Sequence, residues 1–283
     1  MQVLRAAGIL FVFLFVTFLL IPWQESALRL RLKRRKTFPH RYHVFLCRLF
    51  GIRVTVVGEP IQSRGVLMVA NHTSYFDILV FSAAARVSFI AKAEVKGWPL
   101  AGTLARLQET VFIAREKRAQ TGVARDVISQ RLIDGDALIL FPEGTSDDGN
   151  RVLPFKSALL GAAETEIGTD ADGRPRHVPV QPVSISYVGF YGLPMGRDMR
   201  PLFAWYADMD LVPHLWEALT MGPFEAVVEF HQPLTIDETG GRKALAGIAE
   251  TIIRRGQARA LAGLPLPAET NVLPGAPTME AAA

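Results

Sequence analysis

Between residues 51 and 187 short apolar runs alternate with segments of helical character, and this alternation leaves the chain few folds to choose from. The runs are IRVTVV (52–57), GVLMVA (65–70), VSFIA (87–91), TVFIA (110–114), ALILF (137–141) and VPVQPVSISYV (178–188). Helical spacing lies between them, from Ile78 to Ala85, Leu100 to Leu107, Ala119 to Ile133 and Ser157 to Glu164. Strands that are apolar throughout are buried on both faces, and strands that alternate with helices call for an α/β architecture, here a mixed, largely parallel sheet flanked by helices. FEAVVEF (224–230) reads as a further strand and Arg242 to Arg259 as a closing helix. Beyond Leu261 proline and alanine dominate, so residues 261–283 are expected to be a disordered tail. The expected organisation is one domain over residues 51–260, preceded by anchoring helices over residues 1–50.

The anchor is read from AAGILFVFLFVTFLLIPW (6–23), which carries no charge. As a helix it reaches about 27 Å, close to the hydrocarbon thickness of a bilayer. A cleaved signal peptide is the rival, but only Arg5 precedes the run and no small-x-small cleavage site follows. Arg29, Arg31, Lys33, Arg34, Arg35 and Lys36 come next, a cluster expected to meet anions and to stay on the cytoplasmic side. The expected location is therefore the inner membrane, with the catalytic domain facing the cytoplasm. In FPHRYHVFLCRLFGI (38–52) Phe38, Tyr42, Phe45, Leu46, Leu49 and Phe50 recur at helical spacing. Such an amphipathic helix suits either the membrane interface or the domain core. Hydrophobic residues make up 49% of the 283, which fits a soluble domain with one apolar appendage. With Cys47 the single cysteine, no intrachain disulfide can form and no cysteine-rich metal site is present.

Two segments carry candidate chemistry. Asn71 and His72 stand where GVLMVA ends and a helix begins, the edge at which α/β sheets place reactive side chains. In one continuous helix His72 and Asp77 would point about 140° apart. A helix that starts at Thr73 or Ser74 leaves His72 outside it, and the carboxylate can then hold one imidazole nitrogen while the other acts as a general base. Ser74-x-x-Asp77 equally fits a capping box, in which Asp77 only satisfies backbone donors. The second segment, FPEGT (141–145), ends an apolar strand in Glu143, Gly144 and Thr145, a plausible anion cradle. A carboxylate there needs a cation, and Lys92, Arg115 and Lys156 are the candidates.

His72-x-x-x-x-Asp77, FIAR ending at Arg115, FPEGT and VPVQP (178–182) come in the same order and at similar intervals as the four blocks of the glycerolipid acyltransferases. The chain resembles in particular the bacterial 1-acylglycerol-3-phosphate acyltransferases, including relatives that acylate lyso-ornithine lipid, from about Gly51 to Tyr187. That resemblance implies transfer of a fatty acyl group from an acyl carrier protein or coenzyme A thioester to the hydroxyl of 1-acylglycerol-3-phosphate, forming phosphatidic acid. Lyso-ornithine lipid is the alternative acceptor, and a non-catalytic membrane-binding protein of the same fold is the alternative of another class. His72 and Asp77 would be catalytic, and Lys92, Arg115, Glu143, Gly144 and Thr145 would hold the acceptor. Membrane lipids and the thioester donor are the expected partners, with no nucleic acid, no metal and no further cofactor. A hydrolase is disfavoured because no G-x-S-x-G occurs. Two features depart from the family pattern: Asp147 and Asp148 follow FPEGT where many relatives carry basic residues, and the stretch 190–223 has no assigned role.

Overall fold

The computed structural model describes residues 1–113, 118–169, 172–267 and 270–272. Helices α1 (Gln2–Arg29) and α2 (Phe38–Phe50) precede strands β1 (Ile52–Val57) and β2 (Val66–Ala70). Helix α3 (Phe76–Ala84), β3 (Ser88–Lys92), α4 (Ala101–Leu107), β4 (Val111–Ile113), α5 (Arg118–Ile133) and β5 (Ala137–Leu140) follow as the alternating unit. A small hairpin, β6 (Glu166–Thr169) and β7 (Pro175–His177), leads to the long β8 (Val180–Phe190) and its short partner β9 (Leu193–Pro194). The described chain closes with α6 (Leu211–Met221), β10 (Phe224–Phe230), α7 (Ile236–Thr239), α8 (Arg242–Leu261) and β11 (Thr270–Val272).

The main sheet runs β11-β1-β10-β8-β2-β5-β3-β4. From β4 to β8 every pairing is parallel, while β10 turns antiparallel to β8 and β1 follows β10. Each residue of β2 and β5 is buried, as continuous apolar runs require. Val66, Met68 and Ala70 join a core under α2 and α3, whereas Leu67 and Val69 join a second core with Ile128, Leu132, Leu245 and Ile253. The period of two thus feeds both faces of the sheet. The segment 157–164, expected as an α-helix, forms only 3₁₀ turns with a kink at Leu160.

Helix α1 lies along the domain instead of projecting from it. Arg5 donates to the carbonyl of Leu219 at 3.0 Å, Thr17 and Tyr42 hydroxyls meet at 2.5 Å, and Gln24 Nε2 donates to the carbonyls of Arg35 and Leu107 at 3.0 Å each. Ala6, Phe13, Thr17, Gln24 and Ala27 are buried by this docking, while Phe11, Phe15, Phe18, Leu19 and Trp23 face outward. This outward apolar face, on a helix long and apolar enough to cross a membrane, is suited to membrane association. Helix α2 turns Tyr42, Leu46, Cys47 and Phe50 to the core, which decides between its two sequence readings. It ends at Gly51, whose left-handed φ of 74° lets the chain pass at once into β1, and a β-carbon there would come within 2.9 Å of Pro223.

Part of the basic cluster also makes contacts within the protein. Arg29 pairs with Glu25, Arg35 with Glu109 and Lys36 with Asp136, and Arg34 lies 4.3 Å over the Trp23 ring. Arg35 and Lys36 thus strap the junction of α1 and α2 to the loops before β4 and β5, while Arg29, Arg31, Lys33, Arg34 and Lys36 stay exposed to solvent. Of the tail expected to be disordered, residues 270–272 add antiparallel to β1 as an edge strand.

Candidate active site

Strand β2 hands over to the candidate site through Asn71. Its side chain donates to the carbonyl of Ile185 and accepts from the Ile185 N–H, both at 2.9 Å, so it continues the β2–β8 ladder after the backbone has turned away. Helix α3 begins at Phe76, later than the expected Thr73 or Ser74, which puts His72 well outside it and Asp77 in its first turn. His72 Nδ1 then reaches Asp77 Oδ2 at 2.7 Å, and the same oxygen accepts from the N–H groups of Thr73 at 2.7 Å and Ser74 at 3.0 Å. Asp77 thus serves backbone donors and the imidazole at once, but no capping box forms, since the helix has no side-chain cap from Ser74. Asp77 is wholly buried, and its other oxygen accepts from the Tyr187 hydroxyl at 2.6 Å.

A carboxylate only accepts, so Nδ1 carries the proton and Nε2 offers its lone pair. The His72 side chain is 20% exposed, while Asp77 is not exposed at all. The His72 ring lies flat on Phe141, with centroids 4.1 Å apart. The single thiol does not serve as a nucleophile: Cys47 is buried in α2, and burial pushes it up to about 12. Among the described residues no group of three or more potential metal ligands comes together.

Glu143 meets no cation among the described residues, which do not include Arg115. It is 2% exposed, and its Oε1 accepts the N–H of Leu153 at 3.3 Å. Burial pushes its carboxyl up to about 9, with the charges of Asp77 and Asp147 adding to the effect and the N–H groups of His72 and Leu153 opposing it. A carboxyl raised this far is largely protonated at pH 7 and leans less on a cationic partner. Gly144 spends its N–H on the carbonyl of Phe141 at 3.1 Å, within a left-handed turn at φ 76°, and Thr145 stands exposed at the tip. Lys92 is the exposed last residue of β3, on the same carboxyl edge of the sheet, and pairs in register with Ile113. Arg115 lies outside the described residues. Lys156 is exposed, with its N–H on the Pro142 carbonyl. The VPVQP strand buttresses the site from within the core, where Gln181 donates to the carbonyls of Glu59 and His231.

The segment without an assigned role forms a wall of the site. Trp205 donates its N–H to the Thr73 carbonyl at 3.0 Å, the Ser146 hydroxyl donates to the Trp205 carbonyl, and Trp98 and Tyr75 rings pack against Trp205. The acidic loop is equally close, since Asp147 donates its N–H to the His72 carbonyl at 3.2 Å while its carboxylate pairs with Arg151 at 2.6 Å. Asp148 caps its own turn by accepting from the Asn150 N–H, and Arg200 reaches Asn150 Oδ1 at 2.8 Å. Sequence reasoning missed Tyr187, Trp205 and the stacking role of Phe141. A single phenol in the run VSISYV is a signal that could have pointed to Tyr187, whereas no spacing rule leads to Trp205.

Comparison with known proteins agrees with this geometry. A family model described as Acyltransferase matches residues 53–186. A lyso-ornithine lipid O-acyltransferase of Brucella abortus is 44% identical over 88% of this chain and 92% of its own length, and one of Rhizobium meliloti is 44% identical over 89% and 88%. A 1-acyl-sn-glycerol-3-phosphate acyltransferase of Neisseria gonorrhoeae is 34% identical over 70% and 72%. Among solved structures, the 1-acyl-sn-glycerophosphate acyltransferase of Thermotoga maritima matches with a TM-score of 0.62 and 25% identity, covering 90% of this chain and 96% of that one.

Proposed function

Because the chain belongs to the glycerolipid acyltransferase family, we propose that it transfers a fatty acyl group from a thioester to the free hydroxyl of lyso-ornithine lipid. The observation that carries the acceptor is the 44% identity, along nearly the whole of both chains, to proteins named for that reaction. The acidic loop beside His72 supports it too, since an amino-acid head group bears a cation as well as a carboxylate. 1-Acylglycerol-3-phosphate, the acceptor expected first from the sequence, is the second reading, supported by the Neisseria relative and the Thermotoga structure.

In the proposed mechanism the acceptor supplies the nucleophile. His72 Nε2 takes the proton of its hydroxyl as the oxygen attacks the thioester carbonyl, and returns that proton to the departing thiolate. Asp77 holds Nδ1 as N–H and stabilises the imidazolium between the two steps. Lys92 at the end of β3, together with Arg115, would meet the anionic part of the head group, with Gly144 and Thr145 shaping the turn beside it. Glu143, being buried, would organise that turn and not touch the acceptor. The donor is acyl carrier protein or coenzyme A thioester. Arg31 and Lys33 remain to meet anionic lipid, consistent with a cytoplasmic face of the inner membrane.

The test is an acceptor panel: full-length protein in detergent micelles, given acyl carrier protein thioester or acyl-coenzyme A with each lysolipid. The proposal expects higher kcat/KM on lyso-ornithine lipid than on 1-acylglycerol-3-phosphate. The reverse order would establish the second reading, and turnover on neither would remove both.

A further inference from the structure

On the reading of His72 as the base, we infer that Tyr187 is a positioning residue for acyl transfer, its hydroxyl restraining the carboxylate of Asp77 and through it the ring of His72. Three donors converge on Oδ2 of Asp77: the N–H groups of Thr73 and Ser74 and Nδ1 of His72. These contacts restrain the carboxylate from the Oδ2 side only, and rotation about the Cβ–Cγ bond is stiffened further when Oδ1 is held as well. Among the described residues Oδ1 takes no hydrogen bond besides the one from Tyr187 at 2.6 Å, so this hydroxyl is the restraint on that side of the carboxylate. In-plane acceptance at the carboxylate is what aims the imidazole, so that restraint matters to the base.

Tyr187 is itself held from three sides. Its strand β8 lies between β2 and β10, its ring packs on Phe224 with centroids 5.0 Å apart, and Asn71 clasps the peptide of Ile185 two residues earlier on the same face. The residue that precedes His72 therefore sets the height of the strand that orients Asp77. Complete burial and the negative charge of Asp77 both push the phenol well above its ordinary range, so it stays a donor wherever the enzyme works. Tyr75 and Glu143 are the other titratable groups that act on this cluster, and both remain when Tyr187 is changed.

The full-length enzyme with Tyr187→Phe keeps the ring and removes the hydroxyl. We expect kcat to fall about tenfold with KM for the lysolipid nearly unchanged, the pattern of a group that aligns the base without touching substrate. The acid limb of the pH–rate profile should also move to higher pH, because Asp77 loses a donor and pulls harder on the imidazole proton. Wild-type kcat with an unmoved limb overturns the inference. Where Tyr187→Phe does not fold, ring-fluorinated tyrosine at position 187 keeps the shape and strengthens the donor. The limb should then move to lower pH, and an unmoved limb is equally fatal. His72→Ala separates the two layers: activity surviving that change refutes the base itself, whereas a dead His72→Ala beside an unaffected Tyr187→Phe refutes only the role of Tyr187.

Discussion

The imidazole of His72 lies on the ring of Phe141 with 4.1 Å between centroids and 17° between planes, so the ends of two motifs far apart in sequence form one stack. The contact follows from the sheet. Val69 of β2 pairs with Leu140 of β5, and the residues just past that pair leave the sheet side by side. Phe141 in turn packs on Phe81 and Phe89, which ties the stack into the core under α3.

Phe141→Leu should therefore act on chemistry as well as on stability. An aromatic pair contributes about 0.5–1.5 kcal/mol beyond area burial, so a loss of up to roughly tenfold in kcat is expected from a less well-oriented base. Steady-state kinetics beside a thermal melt would check it; a lowered Tm with unchanged kcat would assign Phe141 to packing alone.

Asp77→Asn tests the link from carboxylate to imidazole. An amide can present a donor to Nδ1 and so favour the wrong tautomer, and in a serine-protease triad that error costs about 10⁴-fold in kcat. A fall of roughly 10³-fold or more is expected here, with retained vesicle binding as the control. Residual activity within tenfold of wild type would argue against His72 as the base.

Glu143 gives a pH signature in stability. Its folded carboxyl is raised from 4.5 to about 9, so the folded state binds the extra proton across that window. Stability from this group is complete below 4.5 and lost as pH rises towards 9, with a slope of up to about 1.4 kcal/mol per pH unit. Glu143→Gln, which cannot ionise, should gain on wild type steadily from pH 5 to pH 9 in denaturant melts. Parallel curves for the two proteins would contradict the buried neutral acid.

Membrane attachment should depend on the outward face of α1 more than on the basic cluster. Phe11, Phe15 and Phe18 are each more than half exposed, while Arg35 and Lys36 are tied to Glu109 and Asp136. Replacing the three phenylalanines with serine is expected to abolish flotation with liposomes. Arg35→Ala with Lys36→Ala should leave flotation nearly intact and cost about 0–1 kcal/mol of stability per pair. The opposite ranking would make the cluster the main attachment.

The β-strand runs were legible because apolar continuity is local: VLMVA and ALIL are buried residue for residue, as their composition requires. The pairing of His72 with Asp77 was legible only as a condition on where α3 begins, and Phe76 meets that condition with room to spare. Partners were not legible. The charge of Glu143 is visible in the sequence, but the burial that pushes its carboxyl up to about 9 comes from packing alone. The pairs of Arg35 and Lys36 were hidden too, because Glu109 and Asp136 are remote in sequence and become neighbours only once α4, α5 and the sheet are packed. Tyr187 and Trp205 come to the His72 turn by the same route, from strand order and from a loop folded back over the sheet edge. The sequence by itself determined which residues form strands and which turn carries the histidine, since those depend on neighbours along the chain. Tertiary structure decided which donors, rings and charges surround that histidine, because each comes from a segment whose position is fixed by packing.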